Sequence, residues 1–357
     1  MGRRRLVNAA EAKVLFGLPA DEDSLLRHYT LDPNDRLECE VRRRPHNKLG
    51  FAIQLCVMRH TGRLLGEDEQ PHATVIRYLA DQLGVDARDY AIYARRPQTR
   101  FEHSRFLTEH LSLHIANKND RRAALLAAID AAAAGDKGHP ILTAVISAFR
   151  QRGALLPSQA AIETIGLAGR AIARRRAEIT LLEDIAAEKL EALDALLHVD
   201  PAVGQTRFHW LRSAPDAPGA SNLIGLTERI AFLHTLEIDP QLQARISSGR
   251  WDQIIREGDA TPAWLATDFG ANRRRATIVA QIIKLGQKLT DDAVTMFIKL
   301  MGRLFSQANN CKKRRHMDCR PNTAKALRMF LDTITALQSA NDYGRNALEV
   351  LDREVGW

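Results

Sequence analysis

Arginines occur in short runs along this sequence, and the chemistry of arginine favours phosphate as a partner. The runs extend from the N-terminus to the last fifth of the chain: Arg3–Arg5, Arg42–Arg44, Arg95–Arg96, Arg174–Arg176, Arg273–Arg275 and the mixed run Lys312–Arg315. A guanidinium group binds phosphate, or the edge of a guanine, through two parallel hydrogen bonds. The runs therefore indicate a polyanion such as DNA. A solvated helix face is the alternative for any single run.

A candidate helix-turn-helix covers residues 75–96. Its first helix is apolar and ends before Gly84, and a short second helix begins after Asp86. In this motif the second helix enters the major groove, and its first turn meets the base edges. The pattern predicts one inward and one outward face, with Val85, Tyr90 and Tyr93 inward and Arg88, Asp89, Ile92, Arg95 and Arg96 outward. A purely structural helix corner has the same layout.

This motif supplies the first set of predicted DNA contacts. We expect Arg88 to contact bases, because it lies in the first turn of the short helix. Arg95 and Arg96 lie at its end and are predicted to contact phosphate. The other candidates in the N-terminal part of the chain are Arg100, Asn47, Lys48 and Arg63.

A second, weaker helix-turn-helix candidate covers residues 144–176, where the turn is longer than usual. Its predicted contacts lie at the start and in the middle of the second helix: Ser158, Gln159, Thr164, Arg170, Arg174 and Arg175. Two such units in one chain would suit a long, composite DNA site better than a short operator.

Patterns that would indicate catalysis or a bound metal are incomplete in this sequence. Cys311, His316 and Cys319 lack the fourth ligand of a structural zinc site. His110 and His114 stand four apart but lack the glutamate of a zinc-protease helix, which favours an ordinary helix face. The sequence has no Walker loop and no nucleophile elbow. We therefore predict no catalytic residue, no metal ligand and no cofactor in this chain.

The elements that must position these residues are predicted to be helices, so the predicted fold class is all-α, with several modules and helix-turn-helix-like units. Residues 169–198 read as one long amphipathic helix with near-heptad spacing. Further helices are expected near 222–236, 241–257, 273–288, 291–317 and 322–338. The predicted organisation is a DNA-binding module at 1–115, a second helical module at 116–212, a linker at 213–221 and a C-terminal helical module at 222–357.

Composition narrows the class of protein further. The 357 residues include 45% hydrophobic and 26% charged residues, and the net charge is +8. These values are typical of a globular protein and compatible with a nucleic-acid partner. Four unpaired cysteines argue against a disulfide framework, and the basic N-terminus lacks the apolar segment of a secretory signal. We expect a cytoplasmic protein without membrane contact.

Longer segments carry a resemblance to a known family. HNKLGFAIQLC, a TGR turn, PHATVIRYLADQLGV and a block ending in Tyr-Ala-Arg-Arg follow one another between residues 46 and 96. RRRATIVAQIIKLGQKLTDDAVTMFIKLMGRLF and the closing NDYGRNALEVLDREVGW continue the likeness. The chain resembles, in order and over essentially its whole length, the beginning of the transposases of the Tn-three family of replicative transposons.

The resemblance implies that DNA recognition and catalysis belong to different parts of these transposases. In that family the N-terminal part recognises the terminal inverted repeats of the transposon, and an RNase H-like C-terminal domain with a DDE triad cuts and joins DNA. This chain is expected to lack that domain, which implies binding of double-stranded DNA without strand cleavage. A second copy, or a full-length transposase, is the implied protein partner. The alternatives are a stand-alone helix-turn-helix regulator and a helical scaffold with no nucleic-acid role.

Overall fold

The computed structural model describes residues 5–66, 69–201, 204–215, 217–342 and 346–354. These residues are overwhelmingly helical, which confirms the predicted all-α fold class. Their strand content is one short antiparallel pair, β1 (Val199–Asp200) and β2 (Gln205–Thr206), in which Val199 pairs with Thr206.

The α-helices follow one another along the chain with short connections. They are α1 (Ala9–Phe16), α2 (Glu22–His28), α3 (Pro33–Glu40), α4 (Pro45–Thr61), α5 (Ala73–Leu83), α6 (Tyr90–Ala94), α7 (Pro97–His110), α8 (Lys118–Ala133), α9 (Gly138–Gln151), α10 (Gln159–Leu182), α11 (Ala187–Ala195), α12 (Arg207–Arg212), α13 (Ala220–Thr235), α14 (Ser248–Ala260), α15 (Ala263–Ala266), α16 (Ala271–Asp342) and α17 (Ala347–Glu354). Two 3₁₀-helices cover Ala87–Asp89 and Pro240–Arg245.

Helix α4 forms the centre of the first hydrophobic core. Every residue from Leu49 to Met58 is buried, and α2, α3, α5, α6 and α7 pack around it. The spacing of Leu49, Ile53, Cys56 and Val57 predicts a single apolar face on this helix, and that prediction is wrong. A helix surrounded by neighbours buries polar positions too, as Gln54 shows by accepting a hydrogen bond from Ser104.

A second core lies in a bundle of α8, α9 and α10. Small residues bring the helices together: a Cβ at Gly169 would lie 2.5 Å from the Cβ of Ala128. The larger side chains of the core come mainly from α9, which buries Ile141, Val145 and Phe149. The second helix-turn-helix candidate thus lies within a three-helix bundle.

The chain divides into two compact units. One contains Met1–Trp210 and Ile238–Lys284, and the other contains Leu211–Glu237 and Leu285–Trp357. In the second unit, Arg229 donates to the Ser213 carbonyl at 2.7 Å and Arg303 donates to the Pro218 carbonyl at 2.9 Å. The module boundaries predicted from the sequence stay a prediction.

Four of the expected helices have different bounds. The helix predicted for residues 169–198 is interrupted at residues 183–186, between α10 and α11. The three helices predicted between 273 and 338 are one continuous helix, α16. Thr290, followed by two aspartates, has the pattern of a helix start, but no helix begins there. Capping residues mark a helix start only where the preceding turn is not itself helical.

The apolar residues Phe101, Phe106, Leu107, Leu111 and Ile115 predict one helix with all five side chains inward. Helix α7 is shorter than this and ends at His110, since Ser112 adopts a positive φ of 53°. Three side chains predicted to face inward from this segment are exposed by 64%, 38% and 82%, respectively: Phe101, Phe106 and Ile115. The expected inward position of Leu107 is confirmed.

Candidate nucleic-acid interface

The N-terminus of α4 presents positive charge. Arg44 is its N-cap, and its side chain makes no capping hydrogen bond. Pro45 occupies the first turn, which contains no acidic residue. Unpaired amide groups and the helix dipole give such an end a partial positive charge that attracts anions. Arg43 and Arg44 are both exposed here and add two full charges.

Helix α6 approaches this end of α4 closely. A Cβ at Gly50 would lie 2.2 Å from the ring of Tyr93, so glycine permits the crossing. Tyr93 is buried and shares a 3.1 Å hydrogen bond with Nδ1 of His103. The predicted inward positions of Tyr90 and Tyr93 are confirmed, since both are buried, while Val85 is half-buried.

His46 shows that arginines from both segments meet near the first turn of α4. Burial lowers the pKa of His46, and the charges of Arg96 and Arg44 lower it further, while Asp89 acts in the opposite direction. The Nε2 atom of His46 is buried and has no hydrogen-bond partner in the described part of the chain. Residues 44, 89 and 96 therefore all lie near His46.

We call Arg43, Arg44, Arg88, Arg95 and Arg96 the α4–α6 arginine surface. Arg88 lies in the 3₁₀-helix that precedes α6, and this turn also packs against α4. Arg88 and Arg95 are exposed and Arg96 is half-buried. Within the described residues, none of these five side chains forms an ion pair. Asp89, which was expected to face outward, is half-buried, and Ile92 is 46% exposed.

Three of the four other contacts predicted in the N-terminal part have partners within the protein. Arg63 forms an ion pair with Glu69 and donates to the Phe16 carbonyl at 3.0 Å. Arg100 donates to the Gly66 carbonyl at 2.9 Å. The Lys48 ammonium pairs with Glu40. Asn47 is half-buried, and its Oδ1 is buried without a hydrogen-bond partner in the described chain.

The structure brings some members of the two predicted sets together. Arg63, Ser158 and Gln159 line one cavity of about 510 Å³. Ser158 caps α10 by accepting from the Ala161 amide at 3.4 Å, and Gln159 donates to Glu163 at 2.8 Å. Both are exposed at the start of α10.

The arginines of α10 differ in their surroundings. Arg174 is held by Asp136, with 2.7 Å between its Nε and Oδ2, while Arg170 is half-buried. Arg175 and Arg176 are exposed and form no ion pair within the described residues. Thr164 is exposed and donates to the Ala160 carbonyl at 2.7 Å.

Sequence reasoning included Arg43 and Arg44 among the arginine runs but did not select them as contacts. The signal that could have selected them is a helix start with proline in the first turn and no acidic residue there. The runs near the end of the chain also differ: Arg274 and Arg275 both donate to Asp194, whereas Lys312–Arg315 are exposed along α16.

The histidine and cysteine candidates are spread apart. His114 lies beyond the end of α7, and its Nε2 is 2.9 Å from Oδ2 of the buried Asp120, so it shares no helix face with His110. Cys311 and His316 are exposed, and the side chain of Cys319 lies outside the described residues. Among the residues the structure describes, no group of three His, Cys, Asp or Glu side chains is close enough to hold a metal ion.

The described chain belongs to the class of helical proteins with arginine-rich surfaces, which suit a polyanionic ligand. Comparison with known proteins identifies its relatives. Residues 6–168 match a domain of unknown function, DUF4158. The chain is 31% identical to the transposase for transposon Tn21 from Escherichia coli and 29% identical to the transposase for transposon Tn501 from Pseudomonas aeruginosa. Both alignments cover 100% of this chain and 36% of the relative.

The resemblance to the Tn-three family is thereby confirmed: over its whole length the chain is similar to part of these transposases, which is consistent with an N-terminal portion. It spans about a third of the length of the relatives named here. No described helix is long and apolar enough to cross a membrane.

Proposed function

We propose that this chain binds the terminal inverted-repeat DNA of a transposon. The observation that carries the proposal is the α4–α6 arginine surface, whose five guanidinium groups form no ion pair among the described residues. An arginine paired within its own protein must give up that partner before it binds phosphate. Arginines without such a partner bind phosphate at lower cost, and at this surface the N-terminus of α4 adds amide donors beside them.

The surface suggests how the DNA would be held. A backbone phosphate would lie at the N-terminus of α4, where the first-turn amides and Arg44 can both donate to it. Arg95 and Arg96 would contact neighbouring phosphates. Arg88 would then lie nearest the major groove, because it precedes α6 by one turn. The relatives are named transposases, which supports transposon ends as the cognate DNA.

The test is fluorescence anisotropy with the purified chain and two labelled duplexes at several salt concentrations. One duplex carries an inverted repeat that flanks the gene of a Tn-three-family relative, and the other carries the same bases in scrambled order. We expect tighter binding to the inverted repeat, by roughly 10³-fold or more at physiological salt. Equal affinity for both duplexes would overturn sequence-specific recognition, and no binding at low salt would favour a helical scaffold.

Two variants test whether the α4–α6 arginine surface, or net charge alone, accounts for the affinity for DNA. Arg44→Ala combined with Arg96→Ala should weaken binding to both duplexes, because phosphate contacts are independent of sequence. Arg77→Ala combined with Arg105→Ala is the control of equal charge, since Arg77 is exposed on α5, and Arg105 is 77% exposed on α7 and pairs with Glu109 at 3.7 Å. Loss of the same affinity in both variants would show that net charge, and not the α4–α6 arginine surface, binds the DNA.

A further inference from the structure

A second cluster of arginines surrounds an open cavity of about 380 Å³ within the first unit. Its walls come from the C-terminal half of α10, from α14 and from the first turn of α16. Four arginines line the cavity, together with two glutamates: Arg174, Arg175, Arg250, Arg273, Glu178 and Glu257. The α4–α6 arginine surface shares none of these residues.

Arg250 is the most unusual of these side chains. It is only 2% exposed, although it carries a full charge. One terminal nitrogen lies 2.5 Å from Oδ1 of Asp136, and the other donates to the Ala132 carbonyl. The Nε atom is buried and has no partner within the described residues. A buried donor left unpaired costs free energy, which suggests a ligand that accepts from it.

The charges around the cavity leave a positive excess. Asp136 binds Arg174 and Arg250 together, and Glu257 pairs with Arg273. Arg175 is exposed and forms no hydrogen bond or ion pair in the described chain. Glu178 also has no hydrogen bond there, and burial raises its pKa although all four arginines oppose this. Four arginines face three carboxylates, those of Asp136, Glu178 and Glu257, so the cavity keeps a positive excess even when Glu178 is charged.

The start of α16 adds a second kind of anion donor. Gly270 and Arg273 line the cavity, so the N-terminus of this long helix opens onto it. The first turn contains no acidic residue that would neutralise the helix dipole. Backbone amides and guanidinium groups that converge on one cavity are the donors that tetrahedral oxyanions prefer.

We propose that this cavity binds a phosphate group, held by Arg175, by Nε of Arg250 and by the first turn of α16. Two sources supply this chemistry: a phosphodiester of bound DNA, or free inorganic phosphate. The DNA source rests on the function proposed above, whereas the site itself does not. Glu178 lies among the same arginines and competes with the phosphate for them.

The site can be tested without DNA by thermal unfolding of the full chain in sulfate and in chloride at equal ionic strength. Sulfate has the shape and charge of phosphate but does not titrate near neutral pH. We expect a saturable rise in Tm with sulfate, and an apparent Kd at least about tenfold weaker in Arg175→Gln, since one charge-assisted hydrogen bond is lost. Arg176→Gln is the matched control, because Arg176 is the exposed neighbour on α10 and does not line the cavity.

A second variant is expected to change the affinity for sulfate in the opposite direction. Glu178→Gln removes the competing carboxylate, so we expect it to bind sulfate more tightly than the native chain does. No saturable effect of sulfate, or an equal loss in Arg175→Gln and Arg176→Gln, would overturn the site. A weaker sulfate affinity in Glu178→Gln would also contradict it.

The source of the phosphate follows from two further measurements on the same variants. If the source is DNA, Arg175→Gln should weaken binding of the duplex. It should also reduce the magnitude of the slope of log K against log salt by about 1, while Arg176→Gln should do neither. If the source is free phosphate, inorganic phosphate should compete with sulfate while DNA affinity stays unchanged. If the chain binds sulfate but no DNA, the function proposed above fails while this site stands.

Discussion

An arginine binds DNA best when its guanidinium has no stronger partner in its own protein. Arg63 and Arg174 are both close to carboxylates, at Glu69 and Asp136. Arg88 and Arg95 are exposed, and neither pairs with a carboxylate among the described residues. Residue type and spacing cannot separate these two groups, because the carboxylate that pairs with Arg174 lies 38 positions away in the sequence. Substitution of the exposed arginines, Arg88 and Arg95, should therefore change the affinity for DNA.

We expect Arg88→Ala to reduce affinity for the inverted repeat by ~1–3 kcal/mol, with little effect on scrambled DNA, because Arg88 is placed to contact base edges. Arg95→Ala should weaken both duplexes alike, since a phosphate contact carries no sequence information. Anisotropy titrations of the two variants on both duplexes measure this difference. An equal loss on both duplexes for Arg88→Ala would identify Arg88 as a phosphate contact as well.

At the scale of elements, a buried carboxylate fixes the connection between α7 and α8. Asp120 lies in the first turn of α8, and its side chain is fully buried. Its oxygens accept from Nε of Arg152 at 2.6 Å and from the Asn117 amide at 2.9 Å, and one lies 2.9 Å from Nε2 of His114. These bonds join the start of α8 to the loop before it and to the end of α9.

The bonds to Asp120 also predict how stability depends on pH. The bond from Arg152, followed by that from the Asn117 amide, lowers the pKa of Asp120 well below its usual range. A carboxylate with a lowered pKa in the folded state stabilises the protein above its unfolded pKa of about 3.9, and this stabilisation is lost as pH falls. We therefore expect Asp120→Asn to lower Tm at neutral pH, and the difference from the native chain to shrink below about pH 4.

The control for this effect is Asp130→Asn. Asp130 is exposed on the same helix and forms no hydrogen bond or ion pair in the described chain. Thermal unfolding followed by circular dichroism, from pH 7 down to pH 3, gives the comparison. A constant difference between Asp120→Asn and the native chain across that range would show that the ionised carboxylate does not stabilise the fold.

Some elements follow directly from local chemistry. Asp32 followed by Pro33 predicts the start of α3, and Gly84 predicts the end of α5, where it adopts a left-handed conformation with φ of 63°. The length of α16 could not be predicted in this way. Thr290 has the chemistry of a cap, but the preceding residues are also good helix formers, and the helix continues through it.

Only part of the α4–α6 arginine surface could be predicted, because only part of it lies in one local stretch of sequence. Arg88, Arg95 and Arg96 could be selected because a helix-turn-helix pattern lies in one short stretch of sequence. The contribution of Arg44 depends on α6 crossing α4 at Gly50, which is a contact between distant segments. The cavity around Arg250 depends on three helices that lie far apart in the sequence. Local sequence patterns carry no information about contacts between distant segments.

At the scale of the whole molecule, positive charge is distributed over several surfaces, and only some of it is available to DNA. The net charge of +8 is a small difference between 51 basic and 43 acidic residues. Long-range attraction from so small an excess is weak at physiological salt, where the Debye length is about 8 Å. Affinity must therefore come from arginines that contact phosphates directly, and the salt dependence of binding counts those contacts.

We expect the slope of log K against log salt to be about −5 for the inverted repeat, which is the value for five or six phosphate contacts at roughly 0.9 each. Five candidates for these contacts are Arg43, Arg44, Arg95, Arg96 and Arg175, while Arg88 is placed at base edges. Replacing Arg43, Arg44, Arg95 and Arg96 by alanine should lower the magnitude of the slope by about 3 to 4. Replacing Lys312, Lys313, Arg314 and Arg315 removes the same charge from α16 and is the matched control. Equal slopes for the two quadruple variants would mean that net charge governs binding, and a larger loss from the α16 variant would move the DNA-binding surface to that helix.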